Sequence, residues 1–188
     1  MKSSVFTLFC LCLCFNAYSQ VRERGTVEII PNIGYSTTTL YGDDTDGLDA
    51  RNAFQAGVLV DVFFNDRWSL RTGGSFMSMG AREDGVDIVL DYLLIPINAN
   101  WHFGSTRKWN LNFGLSPGFL ATGDFGGGDV GDNLQSFQLA ITCGIGYKIE
   151  VSKNFSILID AQSVVGITNI AETSQEFRNT NAGGSLNA

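Results

Sequence analysis

Cysteine, histidine and basic charge are all scarce in this 188-residue chain, and each scarcity removes a class of function. Of the four cysteines, Cys10, Cys12 and Cys14 fall in a stretch that reads as a leader, so only Cys143 is left downstream. One thiol makes no internal disulfide, and an exported domain without one needs another source of stability, such as a closed hydrogen-bonded sheet. His102 is the only histidine. A Cys-His nucleophile pair would need it in contact with Cys143, and the alternation described below sets the two on opposite faces of their strands. Metal sites of the His and Cys kind lack ligands. Lys and Arg number 12 against 19 Asp and Glu, for a net charge of -7, which gives nucleic acid no basic footprint. No catalytic residue, cofactor-binding residue or metal ligand stands out, and the chain is not expected to be an enzyme.

What is abundant is glycine, at 22 residues, and phenylalanine, at 14, with charged residues held to 16%. That composition suits β-structure better than helices, which favour Ala, Leu, Glu and Lys. The N-terminus reads as a secretory signal: Lys2 supplies the positive start, Val5 to Phe15 the apolar core, and Ala17-Tyr18-Ser19 the small-x-small pattern before a cut ahead of Gln20. Its apolar run is too short to span a membrane as a helix, which takes about 20 residues. Leu13 stands before Cys14, where a lipoprotein signal would carry a small residue. The expected division is a signal peptide over 1–19 and one domain over 20–188.

The strongest physical signal is alternation with period two. Phe137, Leu139, Ile141, Cys143, Ile145, Tyr147 and Ile149 alternate with Gln138, Ala140, Thr142, Gly144, Gly146 and Lys148. Trp109, Leu111, Phe113, Leu115 and Phe119 oppose Asn110, Asn112, Gly114, Ser116 and Gly118, and Phe155, Ile157, Ile159, Val165 and Ile167 oppose Ser156, Asp160, Gln162 and Gly166. Four earlier segments are noisier: Val27 to Tyr35, Phe54 to Phe64, Trp68 to Phe76 and Leu93 to Trp101. Seven strands are therefore predicted, each long enough for a tilted strand to cross a bilayer. The face opposite the apolar one is made of Gly, Ser, Ala and Asn, with Glu28, Asp61, Asp91 and Asp160 set against Arg71 and Lys148. Small residues and a few balanced charges suit a narrow lumen, whereas a water-facing sheet would carry many long Lys and Glu side chains. Trp68, Trp101, Phe103, Trp109, Tyr147 and Phe155 sit near strand ends, as an interfacial girdle would.

The fold class expected is all-β: an antiparallel up-and-down transmembrane β-barrel of about eight strands in the outer membrane, and a monomer. A soluble barrel or sandwich with its apolar face inward is the alternative. Tight turns are expected around Asn65-Asp66, Gly104 to Lys108 and Ser152 to Asn154, and long connections at about Thr39 to Asn52, Gly80 to Asp87, Thr122 to Gln135 and Thr168 to Ala182. Only Gly183 to Ala188 then remain for an eighth strand, so that strand is expected as a stump and the reading frame as incomplete. The outer connections are acidic and glycine-rich. Asp44, Asp46 and Asp49 with Gly47 have oxygen spacing that could hold calcium, but without the EF-hand order or its closing Glu they read as solvated loop. Gly126-Gly127-Gly128 lacks the strand-to-helix setting of a phosphate cradle.

At the fourth strand Tyr92-Leu93-Leu94-Ile95-Pro96 resembles the tyrosine-leucine-x-isoleucine-proline motif of the PorT-like outer-membrane β-barrel family of Bacteroidetes. Ser116-Pro117-Gly118-Phe119 is similar to the family's glycine-proline-tyrosine strand, and Gly144-Ile145-Gly146-Tyr147 to its glycine-x-glycine-tyrosine strand. Asp160 to Ile170 resembles a further segment, with Gln162 and Ser163 in place of a basic and an aromatic residue. The resemblance implies a barrel and a location rather than a reaction, since the family's named member assists protein secretion. Pro96 cannot donate to a ladder, so a local break in that strand is expected. The functions this leaves are an interaction or scaffold protein of the cell envelope, with the acidic outer loops as a surface for a protein partner; a small channel or transporter; or a soluble lipocalin-like binder.

Overall fold

The computed structural model describes residues 22–42, 47–129, 131, 134–152, 154–170 and 177–187. The expected leader over 1–19 lies outside the described residues. Eleven strands form: β1 Val27–Gly42, β2 Leu48–Asp49, β3 Arg51–Phe63, β4 Trp68–Glu83, β5 Val86–Leu94, β6 Ile97–Phe103, β7 Trp109–Phe125, β8 Gly128–Asp129, β9 Phe137–Ser152, β10 Phe155–Gly166 and β11 Phe177–Asn187. The two-residue strands β2 and β8 flank the wall at one end, pairing with β4 and β7. β5 and β6 are two halves of one stave, interrupted at Ile95 and Pro96 as the proline requires.

Every pairing is antiparallel, and the staves run β1, β3, β4, β5 with β6, β7, β9, β10 and β11. β11 then pairs back onto β1, from Asn32 opposite Asn187 to Gly42 opposite Phe177. The sheet closes into an eight-stave barrel, the arrangement that lets backbone groups find partners inside a bilayer.

The eighth strand corrects the expectation of a stump. Its start lies in what the sequence reads as connection, and it pairs with β10 from Leu158 opposite Asn187 to Val165 opposite Thr180. The segment Arg178-Asn179-Thr180-Asn181-Ala182-Gly183-Gly184 has no apolar alternation, so no periodic signal marks it. Its register is supplied by the two strand edges it lies between. The connection expected over Gly80 to Asp87 is likewise strand: β4 and β5 form a hairpin closed by Asp84 (φ 48°) and Gly85 (φ 85°). Two consecutive positive φ values make the type I′ turn that matches strand twist.

Burial runs opposite to that of a water-soluble domain. Ile29, Tyr35 and Phe54 are 69%, 60% and 55% exposed, while Arg71, Asp160 and Asn112 are at most 1% exposed. Apolar side chains cover the outside and polar ones fill the lumen, which decides against the soluble alternative. A ring of Trp68, Trp101, Phe103, Trp109 and Tyr147 closes the apolar belt at the short-turn end, its neighbours 4.8 to 6.3 Å apart between ring centroids. On the opposite rim Tyr35 pairs directly with Phe54, and Phe76, Leu93, Phe119 and Phe137 pair in series.

Beyond that upper rim the pattern inverts. In β4 the inward positions are Ser69, Arg71 and Ser75 below the rim and Met77, Met79 and Ala81 above it, with Ser78 and Arg82 now outside. The barrel is polar within and greasy without at membrane level, and greasy within and polar without above it.

Candidate functional site: the lumen and the outer end

Among the described residues the lumen is the space the barrel encloses, so a permeation path or inner site would have to be built there. At its centre Arg71 in β4 reaches the carboxylate of its cross-strand neighbour Asp61 in β3 and, across the barrel, that of Asp160 in β10. Its Nε and Nη2 donate to Asp61 at 2.8 and 3.0 Å, and its Nη1 donates to Asp160 at 2.8 Å. This is the fork geometry guanidinium prefers. Amides complete the shell: Asn100 donates to Asp61 at 2.9 Å, Asn112 and Gln162 to Asp160 at 3.4 and 3.3 Å, and Asn110 to Asn100 at 3.0 Å. Nearer the short-turn end Lys148 and Arg22 both bond Glu28, Arg22 at 2.7 Å, and the Arg22 guanidinium lies 4.9 Å from the Phe63 ring centre. Three cations face three carboxylates, so the two layers together carry no net charge.

Above the ions the lumen is apolar. Leu40, Met77, Met79, Leu90, Tyr92, Leu94, Val164 and Ile170 form one buried cluster, packed by Leu48 and Leu134 from the connections. A cavity of about 30 Å³ lies where the two halves meet, lined by Asn32, Arg71, Pro96 and Asn98 among others.

The structure brings Asp61, Arg71, Lys148, Asp160 and Glu28 together as the alternation predicts. Asp91 is a correction: it points outward above the rim and accepts a hydrogen bond from Thr122 at 3.0 Å. Apolar residues on both faces of β5, Leu90 and Tyr92 inside with Val89 and Leu93 outside, hide the parity there. Arg22 was not legible because it precedes the first periodic segment. His102 is buried and lies 3.0 Å from Ser69 Oγ, whereas Cys143 is exposed on the outer face, so the barrel wall separates them.

At the long-connection end Asp49 and Arg82 are cross-strand partners, and Arg82 also pairs with Asp87 at 2.7 Å. That hydrogen bond, aided by the guanidinium charge, holds the Asp87 carboxyl below its usual range. Asp44 and Asp46 lie outside the described residues. Gly126 and Gly127 form the turn from β7 to β8, and the Gly127 amide donates to Asp124 at 3.0 Å, which leaves it directed at a carboxylate. Among the described residues no three His, Cys, Asp or Glu gather in a way that could hold a metal ion.

A family model described as an outer membrane protein beta-barrel domain matches residues 18–172. Among solved structures, Neisserial surface protein A aligns with a TM-score of 0.53 at 14% identity, covering 87% of this chain and 98% of its own. The attachment invasion locus protein Ail of Yersinia pestis aligns at 0.49 and 18% identity, covering 88% and 98%. OprG of Pseudomonas aeruginosa aligns at 0.46 and 9%, covering 88% and 97%. At these identities the first of them speaks to the fold alone. No curated protein sequence matches.

Proposed function

Because the chain belongs to the family of outer membrane protein β-barrel domains and resides in the outer membrane, we propose that it works there as a non-enzymatic interaction or scaffold protein and not as a channel. The observation that carries this reading is the filling of the lumen at two levels. A conducting path would have to break the Arg71 ion pairs and then cross the apolar cluster from Leu94 to Ile170. The ion layer around Arg71 is built from strand side chains, and the apolar layer is mostly so, with Ile170 added from the connection after β10.

What stands free is the outer end. In outer-membrane barrels the short turns face the periplasm and the longer connections face outside. On that orientation the outer end bears Asp49 in β2, Glu83, Asp84 and Asp87 at the β4–β5 hairpin, and Asp124 and Asp129 at the β7–β8 turn, with Arg51 and Arg82 as cations nearby, and the sequence of the first long connection adds Asp43, Asp44 and Asp46. At the other end Arg24, Arg67, Arg107 and Lys108 stand against Glu23, Asp66 and Glu150, with Arg107 paired to Asp66 and Lys108 to Glu150. A partner met from outside would therefore be basic, and its association would weaken with salt. The secretion-linked role implied by the PorT-like resemblance belongs to this same proposal and rests on Tyr92 to Pro96. Closure of the wall within one chain supports a monomer.

Planar-bilayer recording from refolded protein tests the reading. The expected outcome is a silent membrane at neutral pH, with folding checked by heat-modifiable migration on a gel. Steady conductance steps would overturn the scaffold in favour of a channel.

A further inference from the structure

Among the described residues the wall is interrupted inside the apolar belt at Ile95 and Pro96, beside the lumenal cavity. β4 pairs with β5 down to Ser75 opposite Leu94, and with β6 from Arg71 opposite Asn98. Both pairs belong to one register, which places Gly73 opposite Pro96 in the interval between them. The level lies between Trp68 and Phe76, well inside the membrane. Gly74 aims its carbonyl at β3, where it would sit 2.3 Å from a Cβ added to Gly57, so its neighbour Gly73 directs its own amide and carbonyl the other way, at Pro96. Proline has no N–H, and the Gly73 carbonyl therefore has no ladder donor.

Behind this interval lies the cavity of about 30 Å³, bounded by Arg71 and Ser75 of β4 and by Pro96 and Asn98 of the facing stave. Asn32 Nδ2 and Asn98 Oδ1 belong to its lining and have no hydrogen-bond partner. Their residues are 6% and 1% exposed, so bulk solvent does not serve them. An unpartnered amide donor and an unpartnered amide acceptor thus line a space of mixed polar and apolar wall with room for about two water molecules, each needing roughly 10 to 15 Å³, and the Gly73 carbonyl lies in the interval opposite Pro96 beside it. Lipid can satisfy none of these groups.

We propose that this is a bound-water site at mid-bilayer, in which water accepts from Asn32, donates to Asn98 and, through the interval, donates to the Gly73 carbonyl. The paired carboxylates around Arg71 leave no spare cation or anion for an ionic ligand to bind, and water is the ligand whose donors and acceptors match. The Gly73–Pro96 seam is then the hydrated stretch of an otherwise dry wall, and the place where the belt first parts.

NMR of the protein in lipid nanodiscs tests this directly. Water cross-peaks are expected at the Asn32 side-chain amide and the Gly73 amide, with exchange at Gly73 at least about tenfold faster than at Ser69. Pro96→Ala, which restores a donor to the ladder, should slow Gly73 exchange to the level of its neighbours. Leu59→Phe, which fills the cavity from an apolar wall, should remove the Asn32 cross-peak while heat-modifiable migration shows the barrel intact. Dry Asn32 and Gly73 amides in the unsubstituted protein, or Gly73 exchange unchanged by Pro96→Ala, would overturn the proposal.

Discussion

A guanidinium in the middle of a membrane-spanning wall persists only if both of its flanks are answered, and in this barrel Asp61 and Asp160 answer Arg71 from opposite sides. Removing one member of a buried ion group leaves uncompensated charge and costs about 3–5 kcal/mol, whereas removing charge in a balanced way costs much less. Arg71→Met is therefore expected to lower the unfolding free energy in urea by that amount, and Arg71→Met with Asp61→Asn and Asp160→Asn to recover most of it. A second residue-scale prediction concerns Cys143, exposed on the lipid face. A fluorophore attached there should be quenched by lipids brominated near mid-chain, and a charged, water-soluble thiol reagent should leave it unmodified in folded protein. Most of these residues were legible: Arg71, Asp160 and Lys148 each interrupt the polar parity of an otherwise regular strand. Arg22 and Asp91 were not, the one lying before any period begins and the other in a run greasy on both faces.

Among the elements, β4 shows how one strand is written for two solvents. Trp68, Leu70 and Phe76 share its outer face, and the next apolar side chains, Met77 and Met79, face inward without a bulge to shift the register. The change of parity marks the point where lipid ends. Charge on the lipid face near the midplane costs about 2–4 kcal/mol, falling to about 0–1 near the interface. Ile141→Arg in β9, midway between Phe137 and Tyr147, should thus destabilise strongly and Ser78→Arg, above Phe76, hardly at all, as read from urea midpoints in the same lipid. Seven staves and the break at Pro96 follow from alternation and proline chemistry. β11 does not, because its pairing comes from the edges of β1 and β10 and its own residues carry no period.

At the scale of the whole molecule the chain distributes charge as well as grease. Acidic residues collect around the connections of one end, cations slightly exceed acids around the turns of the other, and the lumen between them balances. The acidic character of the outer connections is legible in the sequence, whereas the cations at the other end come together only when the turns at 64–67 and 104–108 are brought side by side. The same end-to-end ordering fixes how deeply the barrel sits. From Trp68 to Phe76, and from Trp109 to Phe119, the outward grease spans about 20 to 26 Å once strand tilt is allowed for. A bilayer of that hydrocarbon thickness should give the highest urea midpoint, with lower values in both thinner and thicker lipids. The parity change at Phe76 and Met77 then acts as a ruler. Above it the outward side chains of β4 are Ser78 and Arg82, so a thicker membrane meets polar side chains on this stave and must pinch, and the chain will gather where the bilayer is already thin.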